Sequence, residues 1–406
     1  MKRHRHAAGI EAAPHPVVNT HLHLPPNFSA FSTAEDAVLA GEREGARVLG
    51  ASNFLDQRVY GRFILAAQAA GIVPILGIEM ITLDEGLRAA GTRVNDPANP
   101  GRMYLCGKGI RHDPEPGGER ARLSAAVRNA DERRMRALVD RVAAVLAERG
   151  VPLPLDYDAI AADVAAAAGV PADWVILQER HLARAVQQAI FSVAPAGGRA
   201  AVLAAAYAGP PTAVDDPVAV QGELRARLMK AGTPGFVPES PVSFADAYRF
   251  VLAADGIPCY PVLADGADPI CPWETPPQRL ADRLVALGIH AAELIPGRNR
   301  TASVDAYVDA LRAKGLIVLA GTEHNTAEQV PIDPGCADGE PSAHARATFW
   351  EGTCVVVAHQ HRRRLGLPGF VGPDGRPDPA FASADERIGW YAALGAGLLE
   401  PVGAGR

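Results

Sequence analysis

Val17-Val18-Asn19-Thr20-His21-Leu22-His23 decides how the rest of this chain is read. The β-branched pair starts a strand, and the i, i+2 spacing of the two histidines puts both imidazoles on one face of it. Neutral imidazole nitrogen is a preferred ligand for zinc and its neighbours, so two rings converging at a strand end form half of a divalent-metal site. Taken alone, His-x-His also reads as a satisfied polar strand end. The continuation of the chain discriminates.

Residues 24–31 form a loop, and Ser32-Thr33-Ala34-Glu35 reads as a capping box opening a helix that stops at Gly45. Val48-Leu49-Gly50-Ala51-Ser52 is a buried strand and residues 58–70 a second helix. A third strand, Ile72-Val73-Pro74-Ile75-Leu76-Gly77-Ile78, ends in Glu79. Strand, helix, strand, helix, strand predicts a parallel sheet. His21, His23 and Glu79 then sit at the carboxyl ends of strands, the edge where α/β barrels assemble their sites.

Beyond Met80 the pattern breaks. Gly91, Asn95, Pro97, Asn99, Pro100 and Gly101, then Pro114-Glu115-Pro116-Gly117-Gly118, mark long loops around a short strand candidate, Met103-Tyr104-Leu105-Cys106. Helices follow over residues 131–149, 156–168, 179–190 and 197–208, with another strand candidate at Trp174-Val175-Ile176-Leu177. Residues 82–235 therefore read as a mainly helical insertion over the barrel mouth, where insertions commonly select the substrate. The barrel pattern resumes with a helix capped at Ser243, the strand Ile257-Pro258-Cys259-Tyr260-Pro261-Val262-Leu263 and the turn Ala264-Asp265-Gly266. The strands Ala291-Ala292-Glu293-Leu294-Ile295 and Leu316-Ile317-Val318-Leu319-Ala320 complete it. Counting the candidate at Trp174, about seven parallel strands suit a closed or distorted α/β barrel better than an open doubly wound sheet. The barrel would take residues 17–81 and 236–406, behind a flexible leader of residues 1–16.

At 406 residues the chain has room for one large barrel with insertions or for two domains. A net charge of −6, with no basic run beyond Met1-Lys2-Arg3-His4-Arg5-His6, argues against nucleic acid as the main partner. No apolar stretch reaches membrane-spanning length and no signal-type core follows the basic start, so the expected location is the cytoplasm. Cys106, Cys259, Cys271, Cys336 and Cys354 are odd in number, lack Cys-x-x-Cys spacing, and read as reduced packing residues. His4, His6 and His15 fall in the leader and are set aside as ligands.

Along the chain come His-x-His after the first strand, Glu79 after the third, Asp265 after a later one and Gly321-Thr322-Glu323 after the last. This order resembles the PHP (polymerase and histidinol phosphatase) family. The matching pieces are Thr20-His21-Leu22-His23, the helix over residues 35–45, Gly77-Ile78-Glu79, Gly256-Ile257-Pro258 with its strand, and Gly321-Thr322-Glu323. They span residues 17–80 and 242–325, leaving the middle insertion outside. The resemblance implies a distorted (β/α)7 TIM-like barrel that binds divalent metal and hydrolyses phosphoesters. The chain departs from the family in three places. Ser52-Asn53-Phe54 stands where the family usually has Thr-Asp-His, and Ala264-Asp265-Gly266 where it has Ala-His-Pro. Gly321-Thr322-Glu323-His324-Asn325 replaces Gly-Ser-Asp-x-His. The lost ligands imply one ion, at most two.

Read as residues, His21 and His23 supply two nitrogens, and Glu79 and Glu323 supply carboxylate oxygens. That set suits Zn, Mn or Fe and the activation of water. Asp265 is either placed to orient that water or act as base, or is the Asp of an Asp-Gly turn. Arg180 and His181 at the start of an insertion helix, Lys230, and Arg298 are candidates for holding an anionic substrate group. A solvated helix face is the simpler account of Arg180 and His181. Glu293, in an apolar strand, reads as a partner standing behind the ligands. His324 joins Glu323 at a metal only if the strand has already ended. His359 and His361, among Arg362, Arg363 and Arg364, read as a solvated helix end. The leading expectation is a metal-dependent hydrolase cleaving a phosphoester of a small anionic metabolite. The rival readings are a metal-assisted lyase or isomerase of sugars or sugar acids, and a binding protein that has lost part of its centre.

Overall fold

Val17–Leu22 (β1) is the first barrel strand, and every residue in it after Val17 is buried. The structure, a computed structural model, describes residues 15–112, 117–238 and 241–400. His4 and His6 of the leader lie outside the described residues, as do residues 113–116, which include Pro114, Glu115 and Pro116 of the Pro/Gly cluster. After β1 come α1 (Ala34–Arg43), β2 (Ala46–Ala51), α2 (Tyr60–Ala69) and β3 (Val73–Leu83), and the three strands pair in parallel as their spacing predicts. The capping box sits one residue later than expected. Thr33 Oγ1 accepts from Asp36 N at 3.1 Å and Asp36 Oδ2 accepts from Thr33 N at 3.0 Å, while Glu35 pairs with Arg62.

Two expectations need correcting. β3 does not end at Glu79 but runs on to Leu83, because after α3 (Glu85–Ala89) the strand β4 (Arg102–Lys108) turns back antiparallel along it, from Gly77 opposite Lys108 to Leu83 opposite Arg102. The barrel sheet therefore takes a strand from inside the range read as insertion. Trp174-Val175-Ile176-Leu177 is not a strand. Ala172–Trp174 is a 3-10 turn, and Val175, Ile176 and Leu177 continue to the next helix as buried packing residues. Its apolar run reflects burial rather than a ladder. The strand candidate at Met103-Tyr104-Leu105-Cys106 is thus real, but its place in the barrel was not expected, because an antiparallel strand needs no crossover helix before it.

Beyond β4 the insertion contributes α4 (Gly118–Glu148), α5 (Tyr157–Ala168), α6 (Glu179–Val193), α7 (Ala196–Tyr207) and α8 (Pro217–Leu224), which continues as a π turn over Arg225–Met229. The barrel resumes with β5 (Val242–Ser243), α9 (Phe244–Ala253), β6 (Ile257–Val262), α10 (Pro277–Ala286), β7 (Ala291–Leu294), α11 (Thr301–Arg312) and β8 (Ile317–Ala320). Two long helices, α12 (Ala343–Arg364) and α13 (Ala384–Leu399), follow. The strand order is β1-β2-β3-β4-β6-β7-β8, with β5 a short edge on β3. The ring closes where Glu323 meets β1: His23 N donates to Glu323 O at 2.7 Å and Glu323 N to His21 O at 2.8 Å. The result is a distorted seven-stranded TIM-like barrel in which only β4 runs against the others.

Apolar side chains place the open and closed ends. Val18, Val48, Ile75, Ile257 and Ile317, early residues of their strands, pack on Val355 and Val356 of α12 and Tyr391 of α13. These two helices therefore seal the end where the parallel strands begin. Gly352 of α12 lies so close that a Cβ there would collide with the Val318 carbonyl. His359 belongs to this seal and is not at a solvated helix end: fully buried, it donates from Nε2 to Asp255 O at 2.7 Å and accepts at Nδ1 from Phe370 N at 3.0 Å. The insertion has an apolar cluster of its own around Val142, Leu182, Val186 and Leu224. All five cysteines are free thiols. Among the described residues no helix is long and apolar enough to cross a membrane.

Candidate metal centre

Inside the barrel a chain of charged side chains rises from β4 to β1. Lys108 and Glu293 are both fully buried. The Lys108 ammonium donates to Glu293 at 2.7 Å, to Ser52 Oγ at 2.9 Å and to Thr20 O at 2.9 Å. An ammonium has three donors, and all three are used. Glu293 also accepts from Thr20 Oγ1 at 2.6 Å and faces His21 Nδ1 at 2.6 Å. Burial opposes the Glu293 charge, but Lys108 and then His21 outweigh it and hold the carboxyl down at about 2. Burial likewise opposes the Lys108 charge, and Glu293 more than restores it, so the ammonium stays protonated above its ordinary range. Gly77 makes room for this chain, since a Cβ there would collide with Ser52 Oγ.

The consequence falls on His21. With a carboxylate at Nδ1 the ring proton belongs there, and Nε2 is left with a free lone pair pointing away from Glu293. That lone pair meets His23: the two Nε2 atoms are 3.3 Å apart, with the rings stacked at 5.3 Å. Glu79 Oε2 is 3.6 Å from His23 Nε2. Donor atoms of His21, His23 and Glu79 all lie within 4.8 Å of one another, and all three residues are buried. Burial, and then the neighbouring His21, pull His23 down to about 3, so it is neutral, and its Nδ1 is buried with no hydrogen-bond partner among the described residues. Burial and then the charge of Glu323 push the Glu79 carboxyl well above the carboxylate range. Two converging imidazole lone pairs and a buried acid repel one another or compete for a single proton unless a cation lies between them. The donor set fits a divalent ion, and three protein ligands leave a position open, as catalytic zinc sites do.

Glu323 stands beside this trio rather than in it. Its two oxygens accept from Arg298, one of them at 2.9 Å, and Asn325 Nδ2 adds a third bond. Burial opposes its charge, but Arg298, followed by His21 and His23, keeps the carboxyl well below its usual range. β8 has ended at Ala320, and both Glu323 (φ 61°) and His324 (φ 50°) are left-handed, a conformation costly for residues with a Cβ and often kept at functional sites. The strand has indeed stopped, yet His324 is no ligand candidate. Its Nδ1 lies 2.7 Å from Thr322 Oγ1, its Nε2 donates to Val330 O at 2.9 Å, and its ring stacks on Phe31. Gly321 lets β8 approach the first histidine, since a Cβ there would strike His21 Cβ.

Above the trio opens a cavity of about 350 Å³, lined by His23, Glu79, Arg298 and Glu323 from the barrel and by Glu179, Arg180, Arg225 and Lys230 from the insertion. Lys230 pairs with Glu179 at 2.6 Å, and Arg134 reaches the same carboxylate at 2.6 Å. Arg225 approaches it at 3.6 Å, while its Nε is buried without a hydrogen-bond partner among the described residues. Arg180 makes no hydrogen bond or ion pair among the described residues. Burial and the neighbouring Arg225 lower it to about 10, still a cation at neutral pH.

Two other expected site residues lie elsewhere. Asp265 does not line the cavity: its Oδ2 accepts from Arg300 N at 3.0 Å and its backbone N donates to Asn299 Oδ1 at 2.9 Å, so it fills the turn role. His181 is buried as the cap of α6, its Nδ1 accepting from Gln178 N at 3.0 Å and its ring edge against Phe28. It holds a helix start rather than a ligand. Ser52-Asn53-Phe54 offers no ligand either: Ser52 accepts from Lys108, and Asn53 exchanges two hydrogen bonds with the Leu24 backbone. Lys108 and Arg225 went unread in the sequence. The one available signal for Lys108 was a lysine at the end of an apolar run, Met103-Tyr104-Leu105-Cys106-Gly107.

No protein-family model matches the sequence, and no curated protein is similar to it in sequence. Among solved structures, the chain is similar to a Bifidobacterium adolescentis protein provisionally named a metal-dependent phosphoesterase, with a TM-score of 0.55 and 15% identity over 84% of this chain and 97% of that one. It is also similar to an amidohydrolase from Chromobacterium violaceum, solved with sulfate bound and no metal, with a TM-score of 0.52 and 16% identity over 82% of this chain and 96% of that one. At these identities the likeness is one of architecture: the barrel with its helical additions is a fold that both neighbours share.

Proposed function

We propose that this chain is a metal-dependent hydrolase, a divergent relative of the PHP barrels, that cleaves a phosphoester of a small anionic molecule. The observation that carries the reading is the buried trio His21, His23 and Glu79, with the Glu293 carboxylate behind His21. These three residues would hold a divalent ion, Zn, Mn or Fe, which would supply acidified water and a charge to polarise a substrate oxygen. The protein's own residues do the rest. Glu293 keeps the His21 proton on Nδ1 and fixes the ring. Arg180, without an ion pair among the described residues, offers the cavity a cation for an anionic substrate, while Arg298 and Arg225 already face Glu323 and Glu179. Glu323, its oxygens held by Arg298 and Asn325, lines the cavity as a fixed carboxylate beside the trio. The two neighbours' names point to phosphoester and amide bonds; the unpaired Arg180 at the cavity favours the phosphoester.

The test is release of inorganic phosphate from a panel of phosphorylated metabolites, with zinc or manganese added. Metal-dependent release by the wild type and none by His21→Ala is the expected result. Release that survives both a chelator and His21→Ala rules the reading out.

A further inference from the structure

Two trios of buried donors share His21: His21, His23 and Glu79 at the rim, and His21, Cys106 and Glu293 below them. We propose that the ammonium of Lys108 fills the place of a second cation, so that the centre takes one divalent ion at the rim trio and no more. This rests on the metal reading of that trio.

The lower trio is already saturated. Its carboxylate receives Lys108, Thr20 Oγ1 and His21. Its thiol, Cys106, is fully buried among these groups. Lys108 has no spare donor, and its three acceptors come from β1, β7 and the residue just after β2, so it ties together the strands around the centre. A metal ion entering here must displace a paired ammonium from a site without water access. Two cations a few Å apart in a low-dielectric interior repel strongly unless more carboxylate is supplied, and among the described residues Glu293 is the one carboxylate bonded to Lys108. Paired metal ions in hydrolases lie about 3.5–4 Å apart and share ligands between them. Lys108 instead holds, through Glu293, the same histidine that serves the rim ion.

The experiment counts ions in the full chain, by elemental analysis after purification without chelator and by calorimetric titration of the apo-protein with zinc. The wild type should take one equivalent, and its manganese form should give the electron paramagnetic resonance of isolated ions. Lys108→Ala, which opens space beside Glu293, should take a second, weaker equivalent. Lys108→Met keeps the volume without the charge and should stay at one equivalent, with affinity raised about tenfold as the competing positive charge is removed. Two equivalents or an exchange-coupled pair in the wild type overturns this inference and leaves the metal reading standing. No bound metal overturns both. Folded Lys108→Ala that still takes one equivalent also overturns it; if that variant does not fold, unchanged affinity in Lys108→Met does so.

Discussion

The floor of the centre and its rim are built on opposite terms. On the floor, Lys108, Glu293, Thr20, Ser52 and His21 satisfy one another, with Lys108 and Glu293 fully buried and of opposite charge. At the rim, His23 leaves Nδ1 without a partner, Glu79 has no cation in bonding distance, and Arg180 faces the cavity unpaired among the described residues. A folded protein tolerates incomplete pairing of buried polar groups when the missing partner is a ligand. On the function proposed above, the floor positions and the rim receives.

If that division is right, equal-sized substitutions on the two levels act in opposite directions. Glu293→Gln on the floor strands the Lys108 ammonium in the interior. Losing one partner of a buried ion pair costs about 3–5 kcal/mol, so chemical denaturation of the apo-protein should register a loss of that order. Glu79→Gln at the rim removes an acid whose charge burial disfavours. Its apo-protein should be as stable as the wild type, or more stable by about 1 kcal/mol, while zinc affinity falls at least about 100-fold. A stability loss in Glu79→Gln as large as that in Glu293→Gln would show that the two levels are one structural unit.

The same contrast explains what could be read from the sequence. His21, His23 and Glu79 were legible because two periodicities, i, i+2 within a strand and strand-helix-strand along the chain, bring them to one edge without any knowledge of packing. Glu293 was legible because an acid inside an apolar strand has to find a partner. The partner was not. Lys108 sits on an antiparallel strand within a loop-rich stretch, and nothing local distinguishes it from a surface lysine. Only the register with β3 and β6 turns it into the barrel. His181 and Asp265 misled for a related reason: helix caps and turns use the same side chains as active sites, and their geometry becomes visible only once the backbone is placed. Glu323 was found at the right strand end, but its pairing with Arg298 depends on a left-handed turn that residue types do not announce.

The smallest expected effect bears on how the rim meets its substrate. Arg180 and Lys230 both line the cavity, but Lys230 is already paired with Glu179 at 2.6 Å, and Arg134 shares that carboxylate. A cation already neutralised has less to offer an incoming anion than one that is not. Arg180→Met, keeping the stem and removing the charge, should therefore raise KM about tenfold and leave kcat nearly unchanged, the loss of one charge-assisted hydrogen bond made equally in ground and transition states. Lys230→Met should change KM much less, since it mainly frees Glu179. Steady-state kinetics on the best phosphorylated substrate decides the matter. Equal effects from the two substitutions would mean that the Glu179 pairing opens when substrate arrives, and that the insertion side of the rim is rearranged by its ligand rather than prepared for it.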